Sequence, residues 1–584
     1  MSDLQVSLPR FRNGSFIDGA LNRLRKIKCD EAWPICHRCH STNRVCGGYG
    51  VWGGGGGGGG YDSGKEHSRP GGRSNDSGKL LCHSSNPAGL VSSHITRQLK
   101  NGILSLDEQH CLGWFIHRTA TKLPGAFISN FWTTLLVQAC STEPAVLHAV
   151  LALSSAHRQE VLDASGRGLR EILHQQRMTT QQHTRAVMCL QPYFSNTTIA
   201  SIRVALISCA MFIYLEFLRG HYATGIIHLQ HGLNLQGELQ RAINAGCGAL
   251  KQPISFDDGW IITIFTRLLV QIKLLGQHVQ LQNLPFGLSE SEARTNTFHS
   301  IHHARRVLEH LLLRIFYLED QCCSRDSLLG PDFYSTWQSR QRRIQDELRS
   351  WINAYEATME DRPYTFNGLG VFAYSLLHLY HAMATIMADT CVGSPNESRF
   401  DRHLSSFNTV ISRCIKCHKI VFQSYRRSPT YDDDARTTSI SDMGWIPPLY
   451  YTVIKCRNRR LRLQALKLLE LTPHKEGLWD ARLAAAVARK VMDIEEREFY
   501  RDADASQDFD LFSTATDQEL AIPILPEEYR INKVNVALPD SPTGRLRLTC
   551  SQRGEPGPSR IIVREYDLPS QRWLENCRQG KQNG

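Results

Sequence analysis

The chain has 584 residues, of which 41% are hydrophobic, and its formal net charge is +11. Residues 1–100 contain 14 Lys and Arg against 7 Asp and Glu, so most of the excess charge lies in this short N-terminal part. A basic arm on a nearly neutral body of this size favours a nucleic-acid-binding protein with a large core, and it argues against a membrane protein.

A basic run, Arg-Leu-Arg-Lys-Ile-Lys, occupies residues 23–28. Lys and Arg displace condensed counterions from DNA phosphates, which supplies affinity that does not depend on base sequence. Taken alone, such a run also fits an exposed charged face or a nuclear-import signal. The cysteines on its C-terminal side favour DNA binding.

Four cysteines come directly after the basic run, within eighteen residues, with the spacing C-x6-C-x2-C-x6-C. They are Cys29, Cys36, Cys39 and Cys46. Four thiolates so close together can surround one small volume, and tetrahedral sulfur ligation of Zn2+ can fold a module that has no core of its own. Buried free thiols are a weaker interpretation, because Lys, Arg, His and Pro separate these cysteines. Disulfides are not expected, since the first twenty residues lack the apolar stretch of a signal peptide.

Three stretches of this region carry a family resemblance: residues 23–31 (Arg-Leu-Arg-Lys-Ile-Lys-Cys-Asp-Glu), 33–39 (Trp-Pro-Ile-Cys-His-Arg-Cys) and 44–49 (Arg-Val-Cys-Gly-Gly-Tyr). They resemble the DNA-binding module of the fungal zinc binuclear cluster transcription factors. The resemblance implies a nuclear regulator of RNA polymerase II transcription that binds double-stranded DNA, typically at CGG half-sites. It also implies that Arg25 and Lys26 contact base edges, where guanine offers two acceptors, and that Arg23 and Lys28 contact phosphates.

The sequence departs from that family at the first two metal ligands. The family uses six cysteines to hold two zinc ions, and its spacing places the first two at positions occupied here by Gly19 and Asn22. Neither residue can ligate zinc. Either residues 1–22 come from a wrongly assigned start or exon, or the protein has lost half of its cluster. In the sequence as given, the four remaining thiolates suffice for one mononuclear tetrahedral site.

Eight consecutive glycines, Gly53–Gly60, and a polar stretch rich in Ser, Gly and Asn come after the cysteines. Residues 51–100 are therefore predicted to form a flexible linker. Some members of the resembling family place a coiled-coil dimerisation segment here, and none is visible in this sequence. Whether the protein binds DNA as a monomer or a dimer stays open.

From about residue 101 to 520 the apolar pattern predicts a mainly α domain. Residues 141–144, Ser-Thr-Glu-Pro, indicate a helix start before an apolar face in 145–160. Asp480 is a plausible N-cap for a helix whose stripe contains Leu483, Val487, Val491 and Ile494. Further helical patterns cover residues 201–218, 301–319, 336–357, 369–388, 447–470 and 480–498. The most apolar stretch, residues 204–218, is interrupted by Glu216 and too short to cross a bilayer, so a buried helix is expected there.

Phe131-Trp132 and residues 143–158, 218–235 and 447–496 resemble the all-helical fungal-specific transcription factor domain. Such a body implies regulation or the recruitment of coactivator or corepressor proteins. Residues 521–584 alternate enough to predict a few short strands. The predicted organisation is an unassigned segment at 1–22, a zinc module at 23–50, a linker at 51–100, an all-α domain at 101–520 and a C-terminal extension at 521–584.

Some residue groups in the helical body resemble metal or redox motifs but are incomplete. Cys414-x2-Cys417-His418 lacks a second half at ligand spacing, so core positions are favoured. Histidines also recur at helical spacing without a carboxylate to complete a zinc-protease motif, and partly buried imidazoles are expected. These histidines are His228, His231, His299, His302, His303, His378 and His381. No catalytic fingerprint occurs in a usable context, so an enzyme is not expected.

Two charged segments of the helical body also require an interpretation. A second basic cluster, comprising Lys455, Arg457, Arg459, Arg460 and Arg462, is predicted to be a solvated helix face rather than a DNA contact. Residues 502–512 mix four aspartates with Phe509, Leu511 and Phe512. A connecting loop is favoured there, and a transcription activation segment is the alternative.

Together these features predict a zinc-dependent, sequence-specific DNA-binding regulator in the nucleus. The alternative is a helical regulatory or scaffold protein whose degenerate cluster no longer binds DNA.

Overall fold

The computed structural model describes residues 104–574, except for 165, 167, 196–197, 247–258, 278, 280–295, 326–330, 362–367, 394–395, 428–438, 473, 498, 501–508, 522 and 555–556. The segments predicted as the N-terminal segment, the zinc module and the linker lie outside the described residues.

The described part is mainly helical, which confirms the predicted fold class. Its first helices are α1 (Leu106–Trp114), α2 (Ala120–Lys122), α3 (Leu136–Thr142), α4 (Pro144–Ala164), α5 (Leu169–Ser195), α6 (Ile199–Arg219), α7 (Tyr222–Gly246) and α8 (Gly259–Leu274). The later helices are α9 (Ile301–Arg325), α10 (Pro331–Asp361), α11 (Gly368–Thr390), α12 (Leu404–Arg427), α13 (Ile446–Lys455), α14 (Arg459–Glu470), α15 (Ala481–Glu496) and α16 (Asp517–Leu520). Two π-helical segments, Phe115–Thr119 and Phe131–Leu135, and two 3-10 turns, Glu397–His403 and Glu527–Tyr529, accompany them.

Local sequence accounts for the ends of these helices. Pro144 begins α4 as predicted, because proline has no amide hydrogen to lose at a helix start. The Thr198 hydroxyl accepts a hydrogen bond from the Ser201 amide at the start of α6, and Gly220 ends that helix at a φ of 79°, where a side chain would be strained. The carboxylate of Asp480 accepts from the Arg482 and Leu483 amides, which confirms its predicted role as N-cap of α15.

Helices that are neighbours in the chain pack against one another around one apolar core. Helix α4 packs on α5 and α6, α6 on α7, α9 on α10 and α11, and α11 on α12. Two helices, Ile199–Arg219 and Leu369–Thr390, are long and apolar enough to cross a membrane by length and composition. However, 78% and 83% of the most apolar 18-residue stretches of these two helices are buried inside the protein. The apolar stretch at 204–218 therefore forms a core helix, as predicted.

The prediction of continuous helix over residues 447–470 was wrong. The chain leaves helical geometry at Cys456, whose ψ is 124°, and resumes it after Asn458, whose ψ is 114°. The Asn458 side chain accepts a hydrogen bond from the Leu461 amide at 3.2 Å and thereby caps α14. An apolar pattern continues across such a break because both helices face the same core.

The buried Glu476 carboxylate supports the start of α13 from a distant part of the fold. It accepts hydrogen bonds from the backbone amides of Gly444, Trp445 and Ile446 at 2.7, 2.9 and 3.1 Å. Amides at the start of a helix have no acceptor within their own helix, and the Glu476 carboxylate supplies the acceptors that they lack. A Cβ at Gly444 would lie 2.3 Å from a carboxylate oxygen of Glu476, so only glycine permits this approach.

The described part of the chain ends in a small antiparallel sheet, which confirms the predicted strands. A two-stranded ribbon, β1 (Lys475–Glu476) and β2 (Trp479–Asp480), precedes α15. The larger sheet has the order β3-β4-β5-β6, with strands Ile531–Ala537, Arg545–Gly554, Gly557–Asp567 and Arg572–Trp573. Its inner face joins the core of the helical body through Leu546, Leu548 and Cys550. The sheet and the helices thus share one apolar interior.

Candidate functional site

The residues predicted to bind zinc and DNA all lie outside the described residues. They are Cys29, Cys36, Cys39 and Cys46 for the metal, and Arg23, Arg25, Lys26 and Lys28 for DNA. Their arrangement stays a prediction. The described part of the chain instead shows the surroundings of the other residue groups noted in the sequence, such as the second basic cluster and the cysteine pair.

The second basic cluster is not a solvated face, and that prediction was wrong. Arg457, Arg459, Arg460 and Arg462 are all buried, and Lys455 is half-buried. The charges of Lys455, Arg457, Arg460 and Arg462 face carboxylates supplied by other elements of the fold, and Arg459 donates to the Tyr500 carbonyl at 3.2 Å. A guanidinium is rarely buried without such partners, because removing a charge from water is costly.

Glu495 of α15 lies at the centre of this network. Its Oε1 accepts a hydrogen bond from Arg457 Nη2 at 2.8 Å, and its Oε2 accepts from Arg462. The same Oε1 accepts from the Ile531 amide at 2.6 Å, while Arg457 Nη2 also donates to the Ile531 carbonyl at 3.0 Å. Ile531 begins β3. The network therefore attaches the C-terminal sheet to two helices of the body.

Further ion pairs extend the network outward. Glu397, which is buried, accepts hydrogen bonds from Lys455 Nζ at 3.0 Å and from Arg457 Nη1 at 2.9 Å. Arg460 Nε donates to the Glu519 carboxylate at 2.9 Å. These contacts connect the turn before α12, the α13–α14 connection and the short helix α16.

The electrostatics of this network keep its central members charged. Burial alone would lower the pKa of Arg457, but the adjacent carboxylates of Glu495 and Glu397 outweigh it and raise that pKa. Burial alone would raise the pKa of Glu495, yet Arg457 and Arg462 hold it below the usual range. Each charge is thus stabilised by the other, which makes the network structural rather than a surface for nucleic acid.

A second buried ionic cluster connects α8, α9 and the segment before α13. Arg305 donates through two nitrogens to both carboxylate oxygens of Asp442, each at 2.5 Å, and through Nε to Glu309 at 2.5 Å. The Nε of Arg267 lies 3.3 Å from the same Glu309 oxygen. Burial would raise the pKa of Asp442, but Arg305 outweighs it and keeps the carboxylate ionised.

The cysteine pair of α12 occupies the core, as predicted. Cys414 and Cys417 are fully buried, and burial raises the pKa of Cys417 to about 12. Burial also lowers the pKa of His418 to about 4, and its ring packs against Trp445. A protonated thiol is a poor metal ligand. Within the part of the chain that is described, no group of three or more His, Cys, Asp or Glu side chains is placed to hold a metal.

Five of the seven recurring histidines are buried or half-buried, in line with the expectation of partly buried imidazoles. The His381 ring stacks on Trp351 with a centroid distance of 5.1 Å, and burial lowers its pKa to about 4. The His303 ring stacks on His299 at 4.1 Å. His231 and His299 are exposed, so they do not follow this pattern.

Part of the acidic and aromatic segment docks on the body. The Arg460 guanidinium lies 3.6 Å from the centroid of the Phe509 ring, and Lys467 Nζ lies 4.4 Å from it. Gln464 donates to the backbone carbonyls of Leu511 and Ser513 at 2.7 and 2.8 Å. Residues 509–513 therefore pack along α14, while residues 501–508 lie outside the described residues.

Sequence reasoning missed the acidic partners of both ionic clusters. Glu397, Glu495 and Asp442 are far from their cationic partners in the chain, so no local spacing identifies the pairs. In the structure Arg459, Arg460 and Arg462 lie on a helix that buries almost its whole circumference, which the sequence alone does not reveal. A helix with no polar face left over must place its charges inside.

The described structure is a mainly helical body with a small C-terminal sheet, in which buried ion pairs hold distant elements of the chain together. The chain belongs to the family defined by the fungal specific transcription factor domain, whose sequence profile matches residues 111–429, over half of the chain. The family and its curated relatives are transcription regulators, not enzymes.

Three curated relatives support this assignment. The aspercryptin biosynthesis cluster-specific transcription regulator of Emericella nidulans is 23% identical over 403 residues, which cover 67% of this chain and 62% of the relative. The transcription regulator lscL of Purpureocillium lilacinum is 28% identical over 37% of this chain and 48% of its own length. An uncharacterised transcriptional regulatory protein of Schizosaccharomyces pombe is 27% identical over 24% of each chain. The chain thus spans less than two thirds of each relative, and no solved structure matches it.

Proposed function

We propose that this protein is a nuclear, zinc-dependent, sequence-specific DNA-binding regulator of RNA polymerase II transcription. The observation that carries the proposal is the presence, in one chain, of a basic run joined to four closely spaced cysteines and of a fungal specific transcription factor domain. The two parts have complementary tasks. The N-terminal module would bind double-stranded DNA at CGG-type half-sites, and the helical body would recruit coactivator or corepressor proteins.

The donor set fits one zinc ion. The thiolates of Cys29, Cys36, Cys39 and Cys46 supply the four sulfur ligands that a structural zinc site requires. A bound zinc would fold a segment too short for its own core, so that Arg25 and Lys26 are presented together to base edges. The set does not fit a second zinc, because Gly19 and Asn22 offer no ligand at the family positions.

The burial of the second basic cluster supports this division of labour. With Arg457, Arg460 and Arg462 engaged by carboxylates, this cluster does not compete with the N-terminal run for phosphates. We therefore assign DNA binding to Arg23, Arg25, Lys26 and Lys28.

Metal analysis of the full chain tests the zinc site. Protein purified under reducing, zinc-replete conditions should contain one zinc ion per chain by mass spectrometry. The double variant Cys36→Ser, Cys39→Ser should lose it, because two thiolates remain. Cys189→Ser, which changes a half-buried free cysteine of the body, should retain it. A metal-free wild-type chain would refute the proposal.

Binding to two duplexes, one with a CGG half-site and one scrambled, tests sequence reading. Arg25→Ala and Lys26→Ala should each weaken binding to the CGG duplex by about 1–3 kcal/mol and scarcely affect the scrambled one. Arg23→Ala and Lys28→Ala should weaken both duplexes alike and reduce the salt dependence. The double variant Arg343→Ala, Arg349→Ala removes two exposed cations of the body and serves as the control. If Arg25→Ala and Lys26→Ala lose equal affinity for both duplexes, these two residues contribute only charge and do not recognise the base sequence.

The replacement of two family ligands by Gly19 and Asn22 favours a second candidate function, a regulatory scaffold that has lost DNA binding. In that case the full chain would bind both duplexes equally weakly while the helical body still engaged partner proteins. The sequence of the 5′ end of the transcript bears on this choice directly. An upstream C-x2-C joined to Arg23 would complete the cluster, whereas a confirmed Met1–Asn22 would support the scaffold.

A further inference from the structure

A cavity of about 360 Å³ opens beside the second ionic cluster. Three elements form its walls: the π-helical segment Phe131–Leu135 with the two residues before it, the first half of α8, and the beginning of α9 with the turn that precedes it. Cavities that hold small organic ligands typically measure about 300–1,000 Å³. This one is therefore large enough for a compact molecule with one or two rings.

One wall of the cavity is aromatic. The rings of Phe131 and Trp260 are stacked, with a centroid distance of 4.9 Å and an interplanar angle of 26°. Leu135 and Ile264 line the cavity beside them. Stacked rings that also face a cavity present a flat apolar surface, which suits a flat apolar body.

Two guanidinium groups, from Arg267 and Arg306, line the same cavity, and none of its described lining residues is Asp or Glu. Arg267 is held in place, since its side chain is only 10% exposed and its Nε lies 3.3 Å from Glu309. Glu309 is itself bound by Arg305, which Asp442 holds through both oxygens. A guanidinium anchored in this way loses little conformational freedom when a ligand binds.

Polar residues, among them three histidines, form much of the remaining lining. Burial lowers the pKa of His302 to about 4, and the nearby Arg267 and Arg305 act in the same direction, so this imidazole is uncharged near neutral pH. Ser129, Asn130 and Ser300 also line the cavity. Such groups offer hydrogen bonds that orient a ligand without adding charge.

We propose that this cavity binds a small organic anion whose flat apolar body lies beside the Phe131–Trp260 pair and whose carboxylate is bound by Arg306 next to Arg267. Two guanidiniums repel a cationic ligand and recognise a planar carboxylate through paired hydrogen bonds. A bound molecule would contact α8, α9 and the π-helical segment at once. The site is independent of the proposed DNA binding, and its test contains no DNA.

Calorimetric titration of the full chain with 2-naphthoate tests the site, with 2-naphthamide as the neutral probe of matched shape. We expect saturable binding of one 2-naphthoate per chain and at least about tenfold weaker binding of 2-naphthamide, since the amide loses the charge-assisted hydrogen bonds. Equal affinity for the two probes, or no saturable binding of 2-naphthoate at millimolar concentration, would overturn the proposal.

Two variants locate the binding. Arg306→Met should weaken 2-naphthoate by about tenfold and remove most of the difference between the probes. Thr263→Trp should fill the cavity and abolish binding of both. Arg349→Met, which removes a guanidinium that is 74% exposed on α10, should leave both affinities unchanged. Thermal unfolding verifies that each variant is folded, and unchanged binding in folded Arg306→Met and Thr263→Trp proteins would place the probe elsewhere and refute the site.

Discussion

Arg305 and Asp442 are 137 positions apart in the chain, yet the guanidinium of Arg305 donates to both oxygens of the Asp442 carboxylate at 2.5 Å. Their side chains are 3% and 9% exposed. The pair joins α9 to the segment that leads into α13, and Asp442 also accepts from the Met443 amide at 2.8 Å. This buried contact between residues far apart in the chain therefore ties α9 to the segment before α13.

Replacing Arg305 with Met should destabilise the fold strongly. The change leaves the Asp442 carboxylate and the shared Glu309 carboxylate buried with one guanidinium fewer, which typically costs about 3–5 kcal/mol. Urea unfolding of the full chain, followed by circular dichroism, measures the loss. Arg349→Met removes an exposed ion pair with Asp346 and should change stability by less than about 1 kcal/mol. Similar values for the two variants would show that the buried pair is not a structural link.

Glu495→Gln should loosen the C-terminal sheet as well as lower global stability. The neutral amide cannot balance Arg457 and Arg462 together, and it weakens the acceptor for the Ile531 amide, so about 3–5 kcal/mol should be lost. Hydrogen exchange should accelerate in β3 more than in α4. Glu470→Gln, which affects a half-exposed pair with Arg489, is the matched control. Unaltered exchange in β3 would contradict the proposed attachment.

Acidification should destabilise the protein from about pH 6.5 downward, before most carboxylates titrate. Burial lowers the pKa of His157 to about 3 and that of His381 and His418 to about 4, against an ordinary value of 6.5. Between these values the unfolded chain binds more protons than the folded one, so stability falls as pH falls, by up to about 1.4 kcal/mol per pH unit for each such group.

The urea midpoint measured between pH 7 and pH 5 tests this expectation. Removing one buried imidazole, as in His381→Asn, should flatten the slope of stability against pH. His231→Asn, at an exposed position, should leave the slope as it is. A midpoint that is constant over this range would contradict the neutral state of the buried histidines.

Phe509→Ala should detach the segment that packs on α14. The ring lies over Arg460 and near Lys467, and such cation–π contacts contribute about 0.5–2 kcal/mol. The exposed neighbour Phe512, which lies near His418 rather than near these cations, provides the control Phe512→Ala. Limited proteolysis should show faster cleavage near residue 509 only in the first variant.

Deletion of residues 502–512 tests the alternative role of this segment in activation. If it engages coactivators, DNA binding should persist while output from a reporter gene falls. Unchanged reporter output would show that the segment is only a connecting loop. Since residues 509–513 contact α14, the deletion must be compared with Phe509→Ala to separate a loss of packing from a loss of recruitment.

The local sequence predicted the elements well, because their signals are local. Pro144 and Asp480 mark helix starts through their own backbone chemistry, and the apolar stretch at 204–218 identifies a core helix from its composition. The failure at residues 447–470 has a physical reason. Apolar periodicity reports which face is buried, and both α13 and α14 bury a face against one core, so the break at Cys456–Asn458 leaves the pattern almost unchanged.

The same reasoning could not find the partners of the second basic cluster. Arg457 is within five residues of Lys455, Arg459, Arg460 and Arg462, and charges of one sign so close together usually face water. Only the fold brings Glu397 and Glu495, 60 and 38 positions away, to that guanidinium. The cavity between α8 and α9 is likewise invisible in the sequence, because its aromatic and cationic residues come from three separate segments.

The sequence by itself therefore determined the class of the protein: a mainly α body, short C-terminal strands, and a cysteine-rich basic segment whose spacing suits zinc. These properties depend on neighbours along the chain, which set helix ends, periodicity and ligand spacing. Only the tertiary structure decided which charges are buried, which carboxylate neutralises which guanidinium, and where a cavity remains. Those outcomes depend on distances between residues far apart in the chain, and such distances exist only after the chain has folded.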